Sequence, residues 1–470
     1  MLENILYLFS EISLFLGIIF ILMQKFFTTL SIKSCFKTAA ITVIVSGLFS
    51  ILFYNKVVFP MFFETNPYTV LFYVLSCLIV LAWLNLSIKW FISEDVEPFS
   101  FCILSLLSLF SFSVIIKTHN LGILFAGLSL LCIVNYNFLK LSQQSEEFHP
   151  VSNRYLVTAI SFAVLMFAGL CLLKPEYWEY SLASEFLGSE NYKLCVFITC
   201  CILFFILFLI GIAPFHFCIA DIVSPAILPV ATYFNLVPLF ALFAVFIKIN
   251  TSIFTPLLSE LNSVYTMFGT LSLIIGSIGA NSSRNLRKIF AYSGIYNFGM
   301  LLLLLSPFTS SDLLGGFIYL QVYVLALFGV YTTFYGFKSN GIYLANLNMI
   351  NGIAKVRPFI SAALVLFMIS LMGIAPFPGF IGQLASLESL ITTNSYIIMF
   401  IALFCMVILM SAFLQIIRSI YFNDKEAEFN RPDYGVYLYL AINIILIAIL
   451  IFKPEFLLYD SPVILNMVLK

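Results

Sequence analysis

Long apolar runs recur along this chain at close intervals, and they restrict the folds open to it. A helix needs about 20 apolar residues to cross the roughly 30 Å hydrocarbon layer of a bilayer. Because lipid offers backbone groups no partner, and because the runs are too continuous for barrel strands, each is predicted to be a helix. About fourteen such segments can be delimited: 4–25, 38–59, 69–91, 99–117, 119–139, 154–174, 193–214, 228–250, 258–280, 286–306, 312–336, 357–394, 395–422 and 434–452.

The composition agrees with this reading. Charged residues make up 9% of the 470 residues, whereas a soluble domain carries about 25%. Lys plus Arg and Asp plus Glu number 22 each, so no basic excess points to a nucleic-acid partner. The predicted fold class is all-α, a polytopic membrane helix bundle. We expect one integral membrane domain over 1–470, with a core at about 99–394 and flanking helices in 1–98 and 395–470.

The twelfth segment is too long for one straight span. It contains a Gly and Pro cluster: Gly373, Pro376, Pro378, Gly379 and Gly382. Such a cluster favours two half-helices joined by an irregular bend. The alternative is that Gly and Pro are simply commoner in membrane helices.

Basic residues are distributed unequally between the joins. About fifteen lie at odd-numbered joins and segment ends and about five at even-numbered ones; the smaller set is Lys56, Lys117, Lys174, Lys193 and Lys248. By the positive-inside rule both termini face away from the cytoplasm, or away from the matrix in a mitochondrial membrane.

Few histidines interrupt the apolar pattern. His216 follows Pro214, which ends an apolar run, and precedes Asp221 by five residues. A His side chain titrates near neutral pH and could relay protons, although a helix-end His bonded to a carbonyl would look the same. His119 and His149 fall in joins, where solvated side chains are expected.

Other charges near the spans are candidates for the same chemistry, because a charge at membrane depth costs at least about 2.5–3.5 kcal/mol. Arg287 and Lys288 open the tenth segment, and Lys248 closes the eighth. All three could instead be interfacial anchors that extend toward the headgroups. Glu388 lies within the last third of the chain and has no obvious partner in the sequence.

Three stretches carry a family resemblance. GIAPFHFCIADIVSPAILPVATYFNLVPLFALFAVFIK, from Gly211 to Lys248, resembles the signature of chain 2 of respiratory NADH:ubiquinone oxidoreductase (complex I), an antiporter-like membrane subunit. The family pattern there is APFH, an aromatic and an acidic residue, then SPTPVTAF. RNLRKIFAYSGIYNFG and GIAPFPGFIGQL resemble its KRLLAYSSIxHxG and GIPPLAGFxxKF. The order and spacing match over essentially the whole chain, which implies an antiporter-like bundle with broken helices.

The resemblance also implies charged positions that this chain lacks. The family is thought to move protons through a Glu on segment five and lysines on segments seven, eight and twelve. Those positions fall at Ser129, Leu209, Leu239 and Gln383, and a second family Glu falls at Pro150. None is titratable near neutral pH. We therefore expect a complex I subunit whose own proton path is degenerate and whose role is largely structural.

Two alternatives stay open. Displaced charged groups could keep the subunit fully pumping, or the chain could belong to a multisubunit cation/proton antiporter. The proton-path candidates are His216, Asp221, Lys248, Arg287, Lys288 and Glu388.

The resemblance also implies the surroundings of the chain. NADH, FMN, iron–sulfur clusters and quinone belong to other subunits of the complex, and this chain is expected to hold no cofactor or metal. The expected partners are other membrane-arm subunits, accessory subunits and lipids such as cardiolipin. The 53 Phe residues suit an A+T-rich organellar genome and predict the mitochondrial inner membrane, with both termini in the intermembrane space.

Overall fold

The computed structural model describes residues 8–27, 31–53, 56–58, 63–94, 96–142, 149–173, 175–189, 192–339, 342–343, 345–422 and 434–453. Within these ranges the chain is mostly helical. The helices of the first half are α1 Phe9–Phe27, α2 Ile32–Leu52, α3 Pro67–Glu94, α4 Phe99–Lys117, α5 Leu121–Leu141, α6 His149–Leu173, α7 Tyr180–Ser189, α8 Tyr192–Ile210, α9 Phe217–Val223, α10 Leu228–Leu236 and α11 Leu239–Ser252.

The second half continues in the same way. Its helices are α12 Leu258–Ser282, α13 Leu286–Leu305, α14 Ser310–Gly336, α15 Ile353–Val356, α16 Pro358–Met372, α17 Gly379–Thr392, α18 Tyr396–Phe422 and α19 Tyr434–Phe452. Two antiparallel hairpins pair β1 Lys56–Val58 with β2 Phe63–Thr65, and β3 Lys338–Ser339 with β4 Ile342–Tyr343. Single 3₁₀ turns lie at Pro175–Tyr177, Thr255–Leu257 and Leu347–Ile350. In the part described, 12 helical spans are long and apolar enough to cross a membrane, and one of them is formed by α10 and α11 together. This confirms the predicted polytopic bundle.

The described residues form two compact units. Unit 1 contains residues 8–210 and 232–258, and unit 2 contains residues 211–231 and 259–453. The single membrane domain predicted over 1–470, with its core at about 99–394, stays a prediction.

Side-chain caps fix where several helices begin. The Asn120 side chain accepts hydrogen bonds from the first backbone amides of α5, and Asn285 does the same for α13. Thr309 and Asp312 form a capping box at the start of α14. These contacts satisfy amides that have no partner inside the helix.

The twelfth predicted segment is broken, as expected. α16 ends at Gly373, whose φ of +67° is the left-handed conformation that glycine adopts without strain. α17 starts at Gly379, where a Cβ would lie 1.7 Å from the Ser370 carbonyl oxygen. The bend therefore depends on glycine at both of its ends.

A second break was not predicted. The eighth segment is divided into α10 and α11 at Val237 and Pro238. Proline has no N–H to donate to the preceding turn, so the ladder of helical hydrogen bonds is interrupted there.

Some predicted bounds also differ from the structure. The second segment was expected at 38–59, but α2 spans Ile32–Leu52 and Lys56 lies in β1. The seventh was expected to reach 214, but α8 ends at Ile210 because Gly211 has a φ of +85°. The polar join at 175–192 contains a helix, α7, which the low apolar content of that stretch did not predict.

Each unit has its own packed core. In unit 1, the Trp83 and Phe101 ring centroids lie 4.8 Å apart and those of Phe138 and Tyr233 4.4 Å apart. In unit 2, α12 and α13 pack so closely that a Cβ on Gly276 would lie 2.6 Å from the Tyr296 backbone nitrogen. Small residues that let helix backbones approach each other are typical of membrane bundles.

Candidate functional site

Lys248 is a buried cation in unit 1. It lies on α11 with 8% of its surface exposed. Its Nζ donates to the carbonyl oxygens of Ile116 at 2.9 Å and of Thr118 at 2.7 Å. These carbonyls lie at the C-terminal end of α4, where backbone acceptors lack helical partners and the helix dipole is negative. Lys248 therefore caps α4 from a neighbouring helix.

Lys117, at the end of α4, forms a second buried contact. Its Nζ lies 2.6 Å from Glu11 Oε1 and 2.8 Å from Ser10 Oγ, both on α1. The side chains are 4% exposed for Lys117 and 12% for Glu11. The ammonium also lies 4.9 Å from the centre of the Tyr73 ring. This ion pair joins α1 to α4 and is largely buried.

His119 pairs with Glu64, which lies on β2. The hydrogen bond from His119 lowers the pKa of Glu64, although burial opposes this effect. Burial lowers the pKa of His119, as does the Lys248 cation, while Glu64 and Glu179 act in the opposite direction. The sequence predicted a solvated His119, because it could not show which join packs against it.

The residues of these contacts are Glu11, Glu64, Lys117, His119 and Lys248. They surround the short join between α4 and α5. The Leu121 amide donates to the Trp178 carbonyl at 2.8 Å, and the Tyr180 amide donates to the His119 carbonyl at 3.0 Å. The second, fourth and sixth joins, which contain Glu64, His119 and Trp178, thus meet at one end of unit 1. Sequence reasoning missed Glu11, Glu64, Lys117 and His119; the one available signal was that each lies near the end of a span.

Unit 2 places two of the predicted candidates together. Lys288 Nζ lies 3.0 Å from Asp221 Oδ1, with side-chain exposures of 31% and 51%. Ion pairs this accessible to water contribute little to stability. Arg287 is 8% exposed, and its Nη1 donates to the Ala226 carbonyl at 2.5 Å. Arg287 thereby fixes the segment before α10 to the start of α13.

The remaining candidates do not join that pair in one site. His216 precedes α9 and is half-buried. Burial lowers the pKa of His216, whereas the Pro214 backbone and the Asp221 charge raise it. Glu388 is exposed on α17. Lys248 belongs to unit 1 and the other five candidates belong to unit 2.

Comparison with known proteins decides the family. A family model described as "NADH:quinone oxidoreductase/Mrp antiporter, TM" matches residues 118–409, more than half of the chain. The chain belongs to this family.

Curated relatives extend the family match along the sequence. NADH-quinone oxidoreductase subunit N of Pelagibacter ubique is 25% identical over 354 residues, which cover 74% of each chain. The protein of the same name from Francisella tularensis is 26% identical over 483 residues, which cover 97% of each chain.

Solved structures of two kinds share the family fold. A chain of respiratory complex I from Thermus thermophilus has a TM-score of 0.78 at 18% identity and covers 96% of this chain and 98% of its own. A chain of the Mrp complex from Dietzia has a TM-score of 0.80 at 16% identity, with coverage of 100% and 98%. These matches confirm the antiporter-like fold.

The positions where the family resemblance expects charges are neutral in unit 1. Ser129 donates to the Ala126 carbonyl of its own helix at 2.9 Å. Leu239, the first residue of α11, is 4% exposed, and Leu209 is half-buried on α8. Pro150 lies in the first turn of α6. None of these residues can hold or release a proton.

In unit 2 the corresponding family position is Gln383, on α17. It is 2% exposed, and its Nε2 donates to the Leu371 carbonyl across the break at 3.3 Å. A Cβ on Gly373 would lie 1.9 Å from Gln383 Oε1, so the glycine makes room for this amide. The break is therefore packed around a neutral polar side chain.

Acidic and basic side chains are scarce along the helices that carry these positions. In α5, α6, α8, α10, α11, α16 and α17 they are Lys140, His149, Arg154, Lys193, Lys248 and Glu388. The three lysines and His149 lie near helix ends, and Arg154 and Glu388 are exposed. The acidic and basic side chains of these helices thus lie near helix ends or on the exposed surface.

Proposed function

We propose that this chain is a membrane-arm subunit of a proton-translocating NADH:quinone oxidoreductase, with a degenerate proton path of its own and a largely structural role. The subunit N names of the curated relatives and the complex I fold match support membership of such a complex. The chain would then be part of an enzyme complex but would carry no redox site itself.

The proposal of a degenerate proton path rests on the neutral side chains at the family's proton-path positions. Proton transfer over about 30 Å of hydrocarbon needs groups that bind and release protons and enough polarity to hold water. Leu209 and Leu239 offer neither, and Ser129 and Gln383 do not change charge near neutral pH. Replacing buried charges with apolar groups also removes their desolvation cost, so the bundle need not be less stable.

Redox chemistry is assigned to other subunits. NADH, FMN, iron–sulfur clusters and quinone would bind there, and the described residues contain no group of three or more His, Cys, Asp or Glu placed to hold a metal ion. The proposed partners are the neighbouring membrane-arm subunits, accessory subunits and anionic lipids such as cardiolipin. Arg284, Lys355 and Arg418 are exposed and would be available to such anionic headgroups.

We also propose the mitochondrial inner membrane as the location, with both termini in the intermembrane space. The support is the Phe-rich composition and the unequal distribution of basic residues. The curated relatives named above are bacterial. Immunodetection of the chain in purified mitochondria, with protease added to mitoplasts to test the termini, addresses both points.

A second candidate function is a subunit of a cation/proton antiporter, because the same family model and fold include Mrp complexes. The two functions predict different partner subunits for the chain. Affinity purification of the tagged chain from its own membranes should recover flavin and iron–sulfur proteins. Recovery of antiporter subunits without flavin would reject the oxidoreductase assignment.

The degenerate path is tested separately in the intact complex. Neutral variants of the accessible candidates, Asp221→Asn with Lys288→Met and Glu388→Gln, should leave the number of protons moved per electron unchanged in proteoliposomes. Ser129→Ala is the matched control. A fall in that number at unchanged NADH oxidation would show that displaced charges keep a proton path through this chain.

A further inference from the structure

A small cavity lies in unit 2 at the break between α16 and α17. Its volume is about 10 Å³, room for the centre of one water molecule. Five polar side chains contribute to its wall, namely Asn297 on α13, Tyr319 and Tyr323 on α14, Ser370 on α16 and Gln383 on α17. All five are at least nine-tenths buried. The wall of the cavity therefore combines buried polar groups with the apolar side chains of Val322, Ala326 and Leu371.

Two oxygen atoms in this wall lack a partner. Ser370 Oγ and Gln383 Oε1 are buried and accept or donate no hydrogen bond among the described residues. Other buried serines nearby behave differently, since Ser361 donates to Arg357 O at 2.9 Å and Ser386 donates to Gln383 O at 2.7 Å. Buried polar atoms in folded proteins are nearly always paired, either with protein or with ordered water.

The neighbouring pair supplies a further acceptor. The Tyr319 hydroxyl donates to Asn297 Oδ1 at 2.9 Å, and Asn297 Nδ2 donates to Ser293 O at 2.7 Å. A carbonyl-type oxygen has two lone pairs, so Asn297 Oδ1 can accept a second hydrogen bond. Besides the Tyr323 hydroxyl, the cavity thus presents one hydroxyl donor and two acceptors, a set that suits a water molecule with three hydrogen bonds.

We propose that this cavity binds one ordered water molecule, which accepts a hydrogen bond from Ser370 Oγ and donates to Gln383 Oε1 and Asn297 Oδ1. The lining contains no carboxylate, so a bare cation would lose its hydration without an opposing charge. Water satisfies the same atoms without that cost. The inference does not rest on the proposed membrane-arm role.

The bound water would complete the hydrogen bonding of the helix break. Irregular backbone inside a membrane bundle is stable only where its polar groups find partners. One water here would connect residues of α13, α16 and α17 through a neutral network. The break would then keep its shape without a resident charge.

The test is radiolytic footprinting of the intact complex with a time course of transfer into ¹⁸O water. A bound water produces hydroxyl radicals locally, so Tyr319 and Tyr323 should be labelled severalfold more than Tyr265, which is equally buried and lies outside the cavity. Labelling from a buried water should also take up ¹⁸O slowly. Equal, low labelling of the three tyrosines would show that the cavity is dry and overturn the proposal.

Variants separate the site from the fold. Ser370→Val fills the cavity with a methyl group and removes the donor, so labelling of Tyr319 and Tyr323 should fall to the level of Tyr265. Ser361→Ala, a hydroxyl loss on the same half-helix, should leave it unchanged. If Ser370→Val does not assemble, a map of the native complex at a resolution that shows waters decides. Density there would support the proposal, whereas flat density, or density that depends on sodium, would refute it.

Discussion

The buried ion pair between Lys117 and Glu11 allows a quantitative test of how unit 1 is stabilised. Lys117→Met removes the cation and leaves the Glu11 carboxylate, 12% exposed, without its partner at 2.6 Å. Breaking a buried pair on one side costs about 3–5 kcal/mol, because the remaining charge stays desolvated. Since Glu11 retains some access to water, we expect a loss near the lower end, about 3 kcal/mol.

Removing both charges should behave differently. In Glu11→Leu with Lys117→Met no uncompensated charge remains, and replacement of a buried pair by apolar side chains is often neutral or stabilising. The double variant should therefore recover most of the stability that the single variant loses. The interaction term of the double-mutant cycle should be about 3 kcal/mol.

The assay is the free energy of unfolding of the purified chain in mixed micelles, measured by SDS titration. Lys140→Met is the matched control, since Lys140 is exposed near the end of α5 and should contribute far less. A single-variant cost below about 1 kcal/mol would place the pair with solvated surface pairs and refute the reasoning. A double variant as unstable as the single one would also refute it.

Three further predictions concern other parts of the molecule. Acidification should raise amide exchange at β2 and the α4–α5 join, because folding holds the pKa of His119 below its ordinary 6.5 and that of Glu64 below 4.5. Stability is lost first as the pH falls below the His value and again below the Glu value; unchanged exchange would exclude this. Leu239→Lys, which buries an unpaired ammonium, should cost at least about 2.5 kcal/mol and lower the amount of assembled complex on native gels; a higher proton yield per electron would contradict it. Gly276→Ala should lower the melting temperature, since its Cβ would lie 2.6 Å from a backbone nitrogen, whereas Gly47→Ala, 3.7 Å from its nearest atom, should not; equal effects would argue against the packing.

The sequence predicts the spans well because one physical requirement, apolar length, dominates them. It also predicts the bend at Gly373 and Gly379, where several helix-breaking residues occur together. It does not predict the break at Pro238, because a single proline in a long apolar run is compatible with a kinked but continuous helix. The sequence does not predict the helix within the join at 175–192 either, because that helix is short and lacks the long apolar run by which the spans are identified.

The charged contacts could be predicted much less well than the helices. Glu11 and Lys117 are 106 residues apart in the chain, and Lys248 binds carbonyls 130 and 132 residues away. Such pairings follow from helix packing, which a single sequence does not encode as a local pattern. The sequence does predict that each charge lies near a helix end, where burying a charge costs least free energy, and the structure places these charges there.

The distribution of charge bears on the role of the chain. At one end of unit 1, two lysines satisfy a carboxylate and the terminal carbonyls of α4, so their desolvation is offset by contacts that also hold helices together. At the family positions of unit 1, leucine and serine need no such compensation. A proton carrier needs the reverse arrangement, with ionisable groups and water at mid-depth and freedom to exchange partners. The buried charged contacts of unit 1 are therefore placed to hold its helices together.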